Sequence, residues 1–319
     1  MSSLFITGGA GYIGAPTVHA FVQSGFRVIV YDTVPPPENI KKQFIYVKGD
    51  IRKKNDLKSA MRTYRPDSVI HLAALKSAID SEKQKKSYEE TNVHGTKNVL
   101  AAMNVCGCKK IIFASSASVY GLVNKKLPEA SPLHPMNIYA ETKVKGETLI
   151  QADKNIHWII LRYSNVVGAT DDGMFGESIQ HNPKLIPSAL RAGVSMRKYV
   201  MIYGNTYPTP DGTAIRDYVS LRDVVRANVM AVRYLQADNP SVLCNIGSGI
   251  GTSNMEVVHA VEKCCKKKIP MLFKKQRKEV SISVANIERA KNIFGWEPES
   301  SALSNIINTL IFFQKTLHQ

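Results

Sequence analysis

The stretch SLFITGGAGYIGAPTVHAFVQSGFRVIVYD, residues 3 to 32, joins a strand pattern, a glycine turn, a helix pattern and a second strand pattern. Glycines Gly8, Gly11 and Gly14 lie at the strand-to-helix turn, where a diphosphate can approach the backbone and the free N–H groups of the helix start. Asp32 ends the second strand 18 residues after Gly14, where a carboxylate can bind ribose hydroxyls. The stretch therefore predicts a dinucleotide-binding unit.

The residues after Asp32 indicate which dinucleotide binds. Thr33, Val34 and three prolines follow, without an Arg or Lys that could hold a 2′-phosphate. We therefore expect NAD as the cofactor rather than NADP.

Strand and helix patterns continue to alternate as far as Gly168. Strands that form continuous β-branched runs between helices are typical of a parallel sheet covered on both faces. Beyond Gly168 the chain turns to loops rich in Gly, Pro and Asp. We expect an α/β fold: a Rossmann-type doubly wound parallel sheet over residues 1–170, and a smaller, partly interleaved C-terminal substrate domain over residues 171–319.

Composition limits the partners and the location. Lys and Arg exceed Asp and Glu by 42 − 26 = 16, but the basic runs are scattered and no nucleic-acid-binding signature accompanies them. The sequence shows neither a leader pattern nor an apolar run long enough to span a membrane. The five cysteines suggest reduced thiols, and the histidines lack metal-site spacing. We therefore expect a cytoplasmic protein without a metal, a nucleic-acid partner or a membrane partner. His71 we expect to be a packed strand residue.

Tyr139 and Lys143 stand four residues apart in NIYAETKVKGE, so they share one face of a predicted helix. A nearby ammonium favours the phenolate, which would give a base that works at neutral pH. An exposed tyrosine beside a surface lysine is the alternative interpretation. FASSASVYG at the end of the preceding strand favours the catalytic interpretation, because it brings Ser115 and Ser116 to the same strand ends.

These motifs resemble the extended short-chain dehydrogenase/reductase family and, within it, the UDP-glucose 4-epimerases. The resemblance extends over nearly the whole chain. The blocks that carry it are TGGAGYIG, GDI, HLAALK, TNVHGT, SSASVYG, YAETK, LRYSNVVGA and, most specifically, YGNTYPTPDGTAIRDYVSLRDV at 203–224. The resemblance implies an isomerase that performs NAD-dependent, reversible 4-epimerisation of a UDP-hexose through a 4-keto intermediate.

The family pattern also implies roles for individual residues. Tyr139, Lys143 and Ser116 would be catalytic, with Lys143 lowering the pKa of Tyr139. Besides these three, NAD would be held by Gly8, Gly11, Tyr12, Ile13, Gly14, Asp32, Asp50, Ile51, Leu72, Ala73, Ala74, Leu75, Lys76, Asn92 and Ser164. The UDP-sugar would contact Ser116, Tyr139, Asn165, Lys184, Tyr203, Arg216, Arg277 and Ser283.

The stretch after Asp32 is shorter than in the family pattern, so the resemblance implies fewer adenosine-side contacts and a weaker hold on NAD. Two further stretches depart from the pattern, and one position bears on the size of the substrate. Lys184 stands before LIP where the epimerases have asparagine, which suggests an extra cation near the diphosphate. KKQRKEVSISVANIERA replaces the usual segment near the C-terminus, with Arg277 and Glu279 as the best matches. Ser283 falls where side-chain size is thought to set the pocket, so we expect room for an N-acetyl group.

Two other functions stay open at this point. One is a sister enzyme on another UDP-sugar, such as a uronate or pentose epimerase or a decarboxylase. The other is a catalytically silent NAD-binding sensor, although such proteins usually lack the tyrosine or the lysine. The resemblance also implies a homodimer formed through the helices that contain TKNVLAAMN and YAETKVKGE.

Overall fold

The computed structural model describes residues 2–38, 40, 43–121, 126–277 and 279–317. The α-helices are α1 (Gly14–Gln23), α2 (Lys54–Tyr64), α3 (Ala78–Lys83), α4 (Lys85–Tyr88), α5 (Gly95–Cys106), α6 (Ile138–Ala152), α7 (Leu185–Gly193), α8 (Leu221–Gln236), α9 (Asn254–Cys265), α10 (Glu288–Phe294) and α11 (Leu303–Thr316). The strands are β1 (Ser3–Thr7), β2 (Arg27–Asp32), β3 (Ile45–Lys48), β4 (Ser68–His71), β5 (Lys110–Ser116), β6 (Lys126–Leu127), β7 (His157–Tyr163), β8 (Asn165–Val167), β9 (Val200–Tyr203), β10 (Ile215–Ser220), β11 (Val242–Ile246), β12 (Gly251–Ser253), β13 (Met271–Lys274) and β14 (Ile282–Ala285).

Seven strands form the main sheet in the order β11-β7-β5-β4-β1-β2-β3. The pairs β1–β2, β1–β4, β2–β3 and β4–β5 are parallel. The chain runs outward from β1 in one direction to β3 and then in the other direction to β4, so the strand order reverses beside β1. Ligands of such sheets bind beyond the carboxyl ends of the strands at this reversal. The predicted α/β, doubly wound sheet is confirmed, and the glycine turn after β1 lies at the reversal.

The chain clusters into two compact units. The first contains residues 1–119, 133–162 and 225–244, and the second contains residues 120–132, 163–224 and 245–319. The sequence prediction put the border near 170, with some later segments interleaved. The two units divide near 162 and interleave: residues 225–244, with most of α8 and the first part of β11, belong to the first unit, and residues 120–132 belong to the second.

One core of the first unit lies between the sheet and helices α2, α5 and α6. Its fully buried side chains include Phe5, Ile29, Leu57, Met61, Val99, Met103, Ile111 and Ile160. Each such side chain contributes about 1.5–3 kcal/mol by leaving water. This packing fixes the strand ends on which the candidate site is built.

The second unit contains a sheet in the order β12-β10-β14-β6, with β8 paired to β10, and a two-stranded sheet of β9 and β13. Helices α7, α9 and α11 cover a separate core, in which Ile186, Leu190, Val258, Ile307 and Leu310 are buried. Within the described residues, no helix has the length and hydrophobicity that a bilayer crossing requires.

Candidate active site

The glycine turn after β1 is packed too closely for side chains. A Cβ on Gly14 would lie 2.1 Å from the carbonyl oxygen of Gly8, and a Cβ on Gly8 would lie 2.6 Å from the backbone nitrogen of Ala73. Gly8 also has a φ of +72°, which side-chain-bearing residues rarely adopt. The turn therefore leaves bare backbone and the start of α1 open to a ligand. The first turn of α1 has no acidic residue, so nothing there repels an anionic group.

Asp32 at the end of β2 faces this turn. Its Oδ2 accepts a hydrogen bond from the backbone N–H of Ala10 at 3.0 Å, and its Oδ1 accepts one from Val34 N–H at 3.2 Å. Each carboxylate oxygen has a further lone pair, which can accept a ribose hydroxyl. The position fits the sequence prediction of a dinucleotide site.

Asp50 and Ile51 follow β3. Arg52 donates to the Asp50 carboxylate from Nε at 2.9 Å and from Nη2 at 2.6 Å, and this bonding holds the pKa of Asp50 below its usual value. Ile51 is buried against Gly95 at the start of α5. The Asp50 carboxylate is therefore already engaged by Arg52 within the protein.

Asn92 hydrogen-bonds the backbone of the predicted cofactor-binding segment Leu72–Lys76. Its Oδ1 accepts from Leu75 N–H at 2.9 Å, while its amide nitrogen donates to the Leu75 carbonyl and to Thr142 Oγ1, both at 3.0 Å. Both amide N–H groups are thus used inside the protein. At the end of the segment, Lys76 Nζ lies 5.4 Å from the centre of the Tyr12 ring.

Tyr139 and Lys143 lie on successive turns of α6. The helix begins after Asn137, whose side chain accepts from Ala140 N–H at 2.9 Å. Lys143 Nζ lies 5.9 Å from the Tyr139 ring centre and donates to the carbonyl of Ala114, on β5, at 2.7 Å. Ser116, at the end of β5, hydrogen-bonds Tyr139. The structure therefore brings the three predicted catalytic residues together.

The expected lowering of the Tyr139 pKa is not found in this structure. Desolvation by burial raises the pKa of Tyr139, the nearby Tyr88 adds to the rise, and only the hydrogen bond with Ser116 opposes it. Burial likewise lowers the pKa of Lys143 to about 8, although the charge of Glu147 opposes this. Removal from water is therefore the largest influence on the pKa of both groups, and the Lys143 ammonium donates its hydrogen bond to the Ala114 carbonyl.

The site contains a buried ion pair that the sequence analysis missed. Glu147 and Arg162 are 2% and 3% exposed, and Arg162 donates to both Glu147 carboxylate oxygens, at 2.9 and 2.6 Å. Ser115 Oγ also donates to Glu147. Two signals pointed to the pair: Glu147 continues the Tyr139–Lys143 spacing, and Arg162 interrupts the apolar strand IILRY.

His71 is a packed strand residue, as predicted. Its ring contacts Thr7 Oγ1 at 2.7 Å and Thr96 Oγ1 at 3.0 Å, and it is 1% exposed. Burial, with a contribution from the charge of Lys143, lowers the pKa of His71 to about 3. The imidazole is therefore neutral near pH 7. In the described part of the chain, no three His, Cys, Asp or Glu side chains form a group that could hold a metal ion.

The predicted UDP-binding residues lie in the second unit, where Arg216 is central. Its guanidinium pairs with Glu279 Oε2 at 3.0 Å, and Nη1 donates to the Ile215 carbonyl at 2.9 Å. Ser283 on β14 is the direct partner of Arg216 on β10. Arg216 and Ser283 are thus neighbours in one sheet.

A stacked pair lies near Glu279. The Arg277 guanidinium lies 3.5 Å from the centre of the Tyr203 ring, and Tyr207 hydroxyl donates to the Arg277 carbonyl at 3.2 Å. Tyr207 also contacts Glu279 Oε1 at 3.3 Å, and burial, with the Glu279 charge, raises the pKa of Tyr207 to about 12. Tyr207 was not singled out from the sequence, although it lies in the YPTPDGT block.

The remaining residues that were predicted to bind NAD or the UDP-sugar differ in whether their polar groups are already bonded within the protein. Asn165 is exposed and uses its amide nitrogen on the Asp217 carbonyl at 3.0 Å. Ser164 Oγ is buried and has no hydrogen-bond partner among the described residues. Lys184 Nζ pairs with Glu177 at 2.6 Å, so the extra cation expected at this position is neutralised within the protein.

Comparison with known proteins identifies the family of this chain. Residues 4–247 match the NAD dependent epimerase/dehydratase family. The UDP-glucose 4-epimerase of Lacticaseibacillus casei is 35% identical over 315 residues, which cover 96% of this chain and 95% of that protein.

Two solved structures are also similar. UDP-glucose 4-epimerase from Stenotrophomonas maltophila, with bound NAD and formylated UDP-arabinopyranose, has a TM-score of 0.94 at 28% identity, covering 100% of this chain and 99% of that chain. The enzyme from Bifidobacterium longum, in complex with NAD+ and UDP, has a TM-score of 0.90 at 29% identity, covering 99% and 98%. The chain therefore belongs to the NAD dependent epimerase/dehydratase family, in the branch that holds the UDP-glucose 4-epimerases.

Proposed function

We propose that this chain is an NAD-dependent UDP-hexose 4-epimerase that interconverts UDP-glucose and UDP-galactose. The proposal rests on the position of three side chains. Tyr139, Lys143 and Ser116 lie together at the carboxyl end of β5, in the same unit as the glycine turn and Asp32. The family relationship supports the choice of substrate.

NAD fits the residues present. Gly8 and Gly14 leave a cradle that a Cβ would fill, and Asp32 offers acceptor oxygens to ribose hydroxyls. Of the other predicted NAD ligands, Leu72 and Ala73 pack beside Gly8, and Asn92 holds Leu75 by two hydrogen bonds. When bound, NAD would supply the hydride acceptor for C4 of the sugar and the hydride donor for the return step.

Tyr139 handles the proton of the reaction. As phenolate it takes the proton of the 4-hydroxyl, and as phenol it returns the proton to the 4-keto oxygen when the sugar is reduced on its other face. Lys143, protonated below its pKa of about 8, would hold the nicotinamide ribose, and its charge would favour the phenolate against the burial that raises the pKa of Tyr139. Ser116 orients the proton between Tyr139 and the sugar.

The second unit supplies the anchor for UDP. Arg216 presents a planar fork of donors that suits a diphosphate, and Tyr203 with Arg277 forms a flat, stacked surface for a planar ring. Asn165 adds polar contacts, and Lys184 would contribute only if it left Glu177. A strong hold on UDP leaves the sugar free to turn over between the two hydride transfers.

A sister activity on another UDP-sugar is the alternative. The YPTPDGT block argues against this alternative. In that block Tyr207 hydrogen-bonds Glu279, and Asp211 accepts a hydrogen bond from Ser253, all within the second unit. A silent NAD sensor is disfavoured, because Tyr139 and Lys143 are both present and positioned.

Substrate range depends on Ser283. Its small side chain, beside Arg216, favours acceptance of UDP-N-acetylhexosamines. Ser283→Tyr should then lose turnover of UDP-N-acetylglucosamine while it keeps turnover of UDP-glucose. Wild-type protein that converts UDP-glucose but no UDP-N-acetylglucosamine would contradict this part of the proposal.

The protein is also proposed to be a cytoplasmic homodimer. The first unit presents α5 and α6 with partly exposed apolar side chains, among them Leu100, Val105 and Leu149. Two such helix faces can form an isologous interface.

Interconversion of UDP-galactose and UDP-glucose by the purified protein, with and without added NAD, tests the function. Tyr139→Phe should lower kcat by about 10²–10⁴-fold, because it removes the proton-transfer group. Tyr64→Phe, a partly buried tyrosine of α2, serves as the control. Unchanged activity of the Tyr139 variant would overturn the mechanism.

A further inference from the structure

Two loops of the second unit meet at the C-terminal ends of α7 and α9. A Cβ on Gly193, the last residue of α7, would lie 2.7 Å from Cys265 Sγ at the end of α9. Lys267 Nζ donates to Ser195 Oγ at 2.7 Å and contacts the Ala192 carbonyl at 3.5 Å. Residues 194–199 and 263–268 therefore form one surface, which we call the basic loop surface.

The basic loop surface has charge of one sign. It contains six basic residues and no acidic residue: Arg197, Lys198, Lys263, Lys266, Lys267 and Lys268. Lys268 pairs with the adjacent Glu262 at 3.3 Å, and Lys267 caps the end of α7. The other four basic residues make no ion pair with a described carboxylate. Helix capping and local pairing thus explain only two of the six.

Apolar side chains lie exposed among these charges. Val194 is 46% exposed, Met196 53% and Tyr199 38%. Arg197 lies 5.9 Å from the centre of the Tyr199 ring. These three apolar side chains contribute nothing to a basic surface that stays in water, whereas they add buried apolar area to a surface that enters an interface.

The basic loop surface is separate from the proposed UDP anchor. It precedes β9 and β13, which pair in parallel from Val200 and Met271 to Tyr203 and Lys274. Tyr203 and Arg277 lie at the opposite, carboxyl end of these strands. At about 3.3 Å per residue, the two strands separate the two surfaces by on the order of 10 Å.

We propose that the basic loop surface docks this protein on an anionic lipid bilayer. Each lysine or arginine near such a surface contributes about 1 kcal/mol of attraction, and exposed apolar and aromatic side chains enter the headgroup region. Duplex nucleic acid would engage the positive charges but not Val194 and Met196. Docking needs no spanning helix, so this surface is an exception to the absence of a membrane partner inferred from the sequence. The proposal does not depend on the epimerase activity.

Vesicle cosedimentation tests the docking. Wild-type protein should sediment with vesicles of phosphatidylcholine and phosphatidylglycerol, and not with phosphatidylcholine alone. The triple variant Lys198→Glu, Lys263→Glu and Lys266→Glu should bind at least about 100-fold more weakly, the factor expected for three lost contributions of about 1 kcal/mol each.

Matched variants separate this surface from general charge. Lys54→Glu, Arg62→Glu and Lys83→Glu change the net charge equally on exposed helical residues of the first unit, and should leave binding within a few-fold of wild type. Met196→Ser with Tyr199→Ser should weaken binding about tenfold without a change of charge. The proposal would be overturned if the control triple lost vesicle binding as much as the first triple, or if the wild type bound neutral vesicles equally well. It would also be overturned if the protein bound duplex DNA but no vesicles, and the serine variants left that DNA binding unchanged.

Discussion

Glu147 controls the charge of the lysine that the proposed chemistry needs. Burial favours neutral Lys143, and the negative charge of Glu147 one turn away favours the ammonium. Arg162 in turn compensates Glu147, so the three side chains form one electrostatic unit on α6 and β7. Glu147 is therefore a positioning residue, acting through Lys143 and Ser115 rather than on the sugar.

Glu147→Gln should move the alkaline limb of the pH–kcat profile to lower pH. The variant removes the charge that raises the pKa of Lys143 and leaves Arg162 uncompensated, and both changes lower that pKa further below about 8. Stability should also fall by about 3–5 kcal/mol, as for a broken buried pair. Glu141→Gln on the same helix is the control, and an alkaline limb at the wild-type pH would contradict this role.

His71 should make the protein sensitive to acid. Its pKa is about 3 in the folded protein and 6.5 for an ordinary histidine, so between these values the unfolded chain binds a proton that the folded chain does not. The free energy of unfolding therefore falls as pH falls through this window, by about 1.4 kcal/mol per pH unit. Urea unfolding across this range measures the slope. His71→Gln should flatten it, and an unchanged slope would show that other groups dominate.

At the scale of elements, the sequence predicted what depends on local pattern. The strand and helix order, the glycine turn and the Tyr139–Lys143 face followed from periodicity and spacing. The π-helical turn Glu89–His94, which holds Asn92, did not, because apolar periodicity does not distinguish it from an α-helix. The stacking of Arg277 on Tyr203 depends on the pairing of β9 with β13, about 70 residues apart in the chain, and no local pattern encodes it.

Two substitutions in the glycine turn should separate folding from NAD binding. Gly14→Ala puts a Cβ 2.1 Å from the backbone oxygen of Gly8, which cannot yield, so both stability and NAD affinity should fall. Gly11→Ala meets its nearest atom at 3.3 Å, so stability should change by less than about 1 kcal/mol while NAD affinity falls. Urea unfolding and NAD titration measure the two effects. Equal stability of the two variants would contradict the packing argument.

For the whole molecule, the proposed dimer rests on the apolar side chains that α5 and α6 leave partly exposed. Leu149→Glu with Val105→Glu should convert the proposed dimer to a monomer, since charges would be buried at the centre of an apolar interface. Sedimentation velocity gives the mass. Ile250→Glu, at an apolar residue 64% exposed in the second unit, is the control. A wild-type protein that sediments as a monomer would rule out the dimer.

The central claim is that one NAD-bound site oxidises and then reduces the same carbon. The most direct measurement is incubation of the protein with UDP-galactose deuterated at C4, followed by analysis of the UDP-glucose formed. The account predicts interconversion with the deuterium retained at C4, because the hydride never leaves the site, and loss of conversion in Tyr139→Phe. Deuterium exchanged into water, or no conversion by the wild-type protein, would contradict it.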